Sequence, residues 1–110
     1  MTPDASEQEF EEYVLANLDD AESRIGYYFA GLRGLIERYG AVNMAKGLVS
    51  IDNTFHMHDG FQILSDNDLQ HLSVEQAMID FQQASFFDDA HISAAKAKLY
   101  LASIKKTGGG

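Results

Sequence analysis

A chain of 110 residues with one proline, no cysteine and a net charge of −9 has room for one hydrophobic core and none for a barrel or a two-lobed enzyme. The missing thiols exclude disulfides, cysteine nucleophiles and Cys-based zinc sites. The acid excess argues against direct binding to a nucleic-acid backbone, where affinity comes from Lys and Arg neutralising phosphates, and makes a basic protein partner the natural match.

The chain opens on acid: residues 1–23 hold eight Asp and Glu and no Lys or Arg. Such a start is the opposite of a signal peptide's basic end and apolar run. The most apolar stretch, IGYYFAGLRGLI, is short and carries Arg33, so it cannot span a bilayer. No membrane association is expected, and the expected location is the cytoplasm. Ser6 and Glu9 have capping-box spacing and start a first helix over about residues 6–19. Phe10, Tyr13, Val14 and Leu18 fall near one of its faces, and its early acids suit the positive end of the helix dipole.

Next, Ile25, Tyr28, Phe29, Leu32, Leu35, Ile36 and Tyr39 recur at helical spacing and predict one continuous amphipathic helix that ends at Gly40. Gly26, Gly31 and Gly34 weaken such a helix and suit close contact with a neighbouring one. A short helix follows, with Val42, Ala45, Leu48 and Val49 inward. Beyond the irregular IDNTFHMH, Asp59 is placed to cap a short helix carrying Phe61 and Leu64, and SDNDLQH reads as turns. Ser73 and Gln76 form a second capping box ahead of Val74, Ala77, Met78 and Phe81. Asp88 or Asp89 caps a last helix with Ile92, Ala95, Leu99 and Ala102 inward, closed by Lys105 and Lys106 at its negative end. No stretch alternates as a strand would. The expected architecture is all-α: a compact bundle of five or six helices in a single domain over residues 1–106, with 107–110 a flexible tail.

Three segments in order, YGAVNMAKGLV, DGFQILSDNDLQHLSVEQAM and FFDDAHISAAKAKL, resemble a small all-helical module of bacterial and phage-borne proteins. The matching positions include Gly40, Ala41, Val42, Ala45, Lys46, Gly60, Phe61, Leu64, the run Leu72 to Glu75, Phe87, Ala95, Lys96 and Leu99. The resemblance covers about residues 39–99 and leaves the acidic first helix outside. It implies a helical fold and no activity, cofactor or catalytic residue.

For chemistry, the sharpest pattern is His56 and His58 beside Asp59. Two such rings converge on a metal when they stand on a strand, but diverge by roughly 160° on a helix. His71, His91, Asp52 and Asp59 are further donors, yet none has a recognisable ligand spacing. His56 and His58 therefore remain weak metal candidates, and no cofactor is expected. No serine has a histidine set beside it, no glycine-rich phosphate loop precedes a helix, and adjacent acids point apart on a helix, so no enzyme is expected. A small metal-binding protein is the third-ranked function, behind two binding functions. One is a protein-binding module docking by an apolar face rimmed with Glu9, Glu11, Glu12, Asp19, Asp20 and Glu22. The other, narrower, is a nucleic-acid mimic that inhibits a nuclease or a defence complex by presenting carboxylates to rows of Lys and Arg. A homodimer through the aromatic stripe of residues 25–39 is a further expectation.

Overall fold

Local signals start and stop most of the helices. A computed structural model describes residues 6–50 and 59–108, with side chains for 6–50 and 60–104. Helix α1, Glu7–Ile25, begins at the reciprocal cap expected of it. Ser6 Oγ accepts the Glu9 amide at 3.0 Å, and Glu9 Oε1 accepts the Ser6 amide at 3.2 Å. The helix then runs past residue 19. It stops at Gly26, whose left-handed conformation (φ 68°) lets its N–H bond the Glu22 carbonyl at 2.9 Å.

That stop corrects the expected second helix. Helix α2 is Ala30–Tyr39, and the apolar stripe belongs to three pieces of chain: Ile25 ends α1, Tyr28 and Phe29 lie in the connection, and the rest stand on α2. Phe29, Leu32 and Ile36 are buried, Ile25 and Leu35 half-buried, and Tyr28 and Tyr39 exposed. Helical spacing survived across the break because the connection is short, so periodicity alone could not see it. The glycines also serve differently from expectation: Gly31 and Gly34 face solvent, and a Cβ at Gly34 would meet nothing within 4 Å.

Gly40 (φ 84°) separates α2 from α3, Ala41–Val49. Helix α3 lies deepest in the fold; Val42, Ala45, Leu48 and Val49 are buried as expected, and so is Met44, which the pattern did not single out. Helix α4 is Asp59–Asp66, so Asp59 is its first residue rather than a preceding cap. Gly60 allows close packing there, since a Cβ would fall 2.9 Å from Leu32 Cδ1. Turns and a short 3-10 segment, Gln70–Leu72, lead to Ser73, which caps α5, Val74–Asp80, by accepting the Gln76 amide at 3.1 Å. The returning half of that box is missing because the Gln76 side chain donates to Asp80 instead, at 3.0 Å. Helix α6 spans Asp89–Gly108, extending into the segment expected to be a tail; each added residue gains one hydrogen bond once a helix is nucleated. Asp88 stands just before it, its carbonyl accepting the Ile92 amide at 3.1 Å. Six α-helices and no strand among the described residues make the fold the expected all-α bundle.

Phe10 is the centre of the core. It is fully buried and meets Phe81, Phe86 and Phe87 edge to face, with centroids 5.3, 6.0 and 5.1 Å away. Edge-to-face pairs add about 0.5–1.5 kcal/mol each beyond area burial, and here they bind α1 to the segment joining α5 and α6. Phe10→Ala is expected to lower unfolding free energy by about 3–5 kcal/mol, against less than about 0.5 for exposed Gln83→Ala; urea unfolding curves of the two variants test this.

Candidate interaction surface

The six acids singled out in the sequence all stand on α1 or its last turns, and the helix sorts them into two groups. Phe10, Val14, Leu18 and Ala21 are its buried row. By the 3.6-residue period, Glu9, Glu12, Asp19 and Asp20 share the opposite face with Ala16 and Ser23, and all are exposed. Glu11 and Glu22 stand on the flank towards α2 and α3 and are half-buried.

The flank pair works inside the fold. Glu11 Oε1 accepts the Ala41 amide at 3.1 Å. Helix α3 has no acid in its own first turn, so α1 supplies the negative charge its dipole favours. Glu22 does more. Its Oε2 accepts the Phe29 amide at 2.9 Å and Arg33 Nε at 2.9 Å, and its Oε1 accepts Arg33 Nη2 at 2.7 Å. Arg33 Nη2 also reaches Asp19 at 2.6 Å, and its guanidinium lies 5.4 Å from the Tyr28 ring centre. The Arg33 bonds hold the Glu22 carboxyl below the ordinary carboxylate range, outweighing the opposite pull of burial. The same bonds, to Glu22 above all, raise the guanidinium further beyond its usual range.

The outward face is more lightly tied. Glu9 closes the cap, Glu12 accepts from Gln8 at 3.2 Å, and Asp20 pairs with Arg24 at 2.8 Å. Exposed pairs of this kind contribute little, about 0.3–0.5 kcal/mol on a helix. Past the end of α1 stand two exposed tyrosines: Tyr27, whose ring packs on Phe29 at 5.0 Å, and Tyr28, 66% accessible. Arg33 joins row and tyrosine, because it touches both Asp19 and the Tyr28 ring.

Sequence reasoning overlooked Arg33 as an organiser, although it is the one charged residue in an apolar run, and that isolation was the available signal. It also missed the ion pair between Glu75 and Lys98, which joins α5 to α6 with the Lys98 ammonium 5.1 Å from the Phe61 ring centre. Glu75 is 2% exposed, and nothing in Leu-Ser-Val-Glu distinguishes a buried carboxylate from a solvated one. Tyr13, half turned to solvent, donates to Asp80 Oδ2 at 2.5 Å, and that bond raises its phenol above the ordinary value.

The His56 and His58 pair lies outside the described residues. His71 is exposed, and His91 Nδ1 accepts the Asp88 amide at 3.2 Å. Among the described residues no three His, Asp or Glu converge as a metal site would require. No helix is long and apolar enough to cross a membrane, again among the described residues. No family model, curated protein or solved structure matches this chain.

The Glu22–Arg33 clasp sets a pH dependence. Because the folded carboxyl titrates below its unfolded value of 4.5, its stabilisation is fully present above that pH and is lost as pH falls through the folded value. Glu22→Gln is expected to cost roughly 1–3 kcal/mol at neutral pH. Its disadvantage against wild type should shrink steadily below the ordinary carboxylate value, as measured by thermal unfolding across an acid series.

Proposed function

We propose that this chain is a non-enzymatic binding module whose outward α1 face, with the tyrosines at its end, docks a basic segment of another protein. The observation that carries the reading is the division of labour along α1. Glu9, Glu12, Asp19 and Asp20 look outward, while Glu11 and Glu22 hold the fold. Tyrosine supplies large contact area at low entropic cost and is enriched at interfaces, which suits Tyr27 and Tyr28 as the apolar end of an acidic site. This surface lies on α1, outside the part that resembles the bacterial and phage-borne module, so it would be an addition to that common core.

Charge density favours a basic peptide over the nucleic-acid mimic. From Glu9 to Asp20 the helix rises about 16 Å, a length over which duplex DNA carries about ten phosphate charges. The α1 face offers the carboxylates of Glu9, Glu12, Asp19 and Asp20 there, and Asp19 and Asp20 already face Arg33 and Arg24. A few carboxylates beside an aromatic pair resemble a peptide site more than a phosphate lattice.

A pull-down from native lysate, followed by titration with the captured partner, tests this. The triple variant Glu9→Gln, Glu12→Gln, Asp20→Asn is expected to keep its fold, since glutamine also serves in a capping box, and to lose at least about tenfold in affinity. Tyr28→Ala is expected to weaken binding comparably, and raising salt should weaken the wild type steeply. A partner held equally well by the triple variant and at high salt would mean the interface lies elsewhere.

A further inference from the structure

A histidine closes the start of α6. Asp88 stands just before the helix and its carbonyl accepts the Ile92 amide at 3.1 Å, which makes Asp88 the N-cap and His91 the third helical residue. In a capping box that third position carries Glu or Gln, whose side-chain oxygen accepts the N-cap amide. Glu9 serves α1 in this way, accepting the Ser6 amide at 3.2 Å. On α6 an imidazole takes the part: His91 Nδ1 accepts the Asp88 amide, also at 3.2 Å. A carboxylate or carboxamide oxygen keeps its lone pairs throughout the range near neutrality, and an imidazole nitrogen does not.

We propose that His91 makes the first turn of α6 an acid-sensitive cap. Accepting the Asp88 amide requires the Nδ1 lone pair, so the neutral ring carries its proton on Nε2. A proton added at Nδ1 takes that lone pair, sets one N–H against another and ends the bond. The positive end of the helix dipole also opposes the new charge. The charged ring still has the Asp88 carboxylate within reach, its Oδ2 3.9 Å from Nδ1. Protonation therefore exchanges an accepted backbone bond for attraction to a side chain. Asp88 is 81% exposed, so that attraction is weak and leaves the amide without its cap.

The charged groups of the neighbouring elements are engaged elsewhere or stand apart. Helix α5 carries Glu75, which holds Lys98 of α6, and Asp80, which accepts from Tyr13 and Gln76. Helix α3 carries Lys46, which is half-buried. On α1, Glu7 is exposed and Glu11 accepts the Ala41 amide. On α6 itself, Asp89 and Lys96 are exposed. Among the described residues Asp88 is the only carboxylate within 4.0 Å of the imidazole. The ring lies 6.4 Å from that of Phe87, which in turn meets Phe10 at 5.1 Å. Acid thus loosens α6 at the turn beside the aromatic cluster that joins it to α1. This cap does not depend on the α1 docking surface.

The test is amide exchange with water, measured by NMR on the full chain at about pH 8 and about pH 5, the interval over which histidine changes charge. Each rate is divided by that of the unstructured sequence at the same pH. His91→Ala removes the acceptor, and His91→Gln supplies one that does not titrate. At the higher pH the wild-type Asp88 amide is expected to exchange roughly three- to tenfold more slowly than in His91→Ala. At the lower pH the two should exchange alike, while His91→Gln stays slow at both. Unchanged circular dichroism confirms that the variants fold. A wild type that matches His91→Ala at the higher pH overturns the inference, as does one that keeps its protection in acid. An acid response that persists in His91→Gln overturns it too.

Discussion

The Glu22 carboxylate receives three hydrogen bonds, from the Phe29 amide and from two nitrogens of Arg33, and the rest of the fold is arranged around that clasp. Phe29 precedes α2 and has no side-chain oxygen to cap it; a carboxylate from the previous helix meets the need. Charge-assisted bonds of this type are roughly twice as strong as neutral ones. With Gly26 turning the chain through a left-handed residue, they set how α2 leaves α1, and α2 in turn delivers Leu32 and Ile36 to the core and α3 to its centre.

This clasp also changes what the net charge means. Acids counted in a sequence are equal; in the fold they are not. Glu22 and Glu75 are consumed by Arg33 and Lys98, Glu11 serves the dipole of α3, and Asp80 takes the Tyr13 hydroxyl. On the outside of α1, Glu9, Glu12, Asp19 and Asp20 stay exposed, as do Glu37, Asp66, Asp88 and Asp89 on other elements. A small domain with one core has little apolar area to hold its helices together, and the carboxylates directed inward help fix their relative positions.

Helix α6 shows the complementary case. Its inner face contributes Ile92 and Ala95 to the core, and the Glu75–Lys98 pair fastens it to α5. Its outer face is also apolar and leaves Tyr100, Leu101 and Ile104 exposed. A helix with two apolar sides gives a blurred periodic signal, because the two stripes cancel when read as one moment. The second stripe becomes visible only when the first has been assigned to the core.

Much of the fold was legible from residues acting on their near neighbours. The Ser6–Glu9 box, the Ser73 cap, the Gly40 stop and the inward rows of α1, α3 and α5 all depend on contacts within one or two turns, and each is where its spacing put it except Tyr13, which is exposed, and Phe81, which follows α5 and is half-buried. The break at Gly26 was not legible, since the i, i+3, i+4 rhythm passes through it unchanged, while the turn is held by the left-handed Gly26 and by bonds that Glu22 accepts from residues seven and eleven positions away. For the candidate surface, the sequence by itself determined that α1 is acidic and which of its rows is apolar. Only the tertiary structure decided that Glu11 and Glu22 turn inward while Glu9, Glu12, Asp19 and Asp20 face out, because that choice depends on where α2 and α3 pack. Helical periodicity is a property of one segment; the partner of a charge is a property of two.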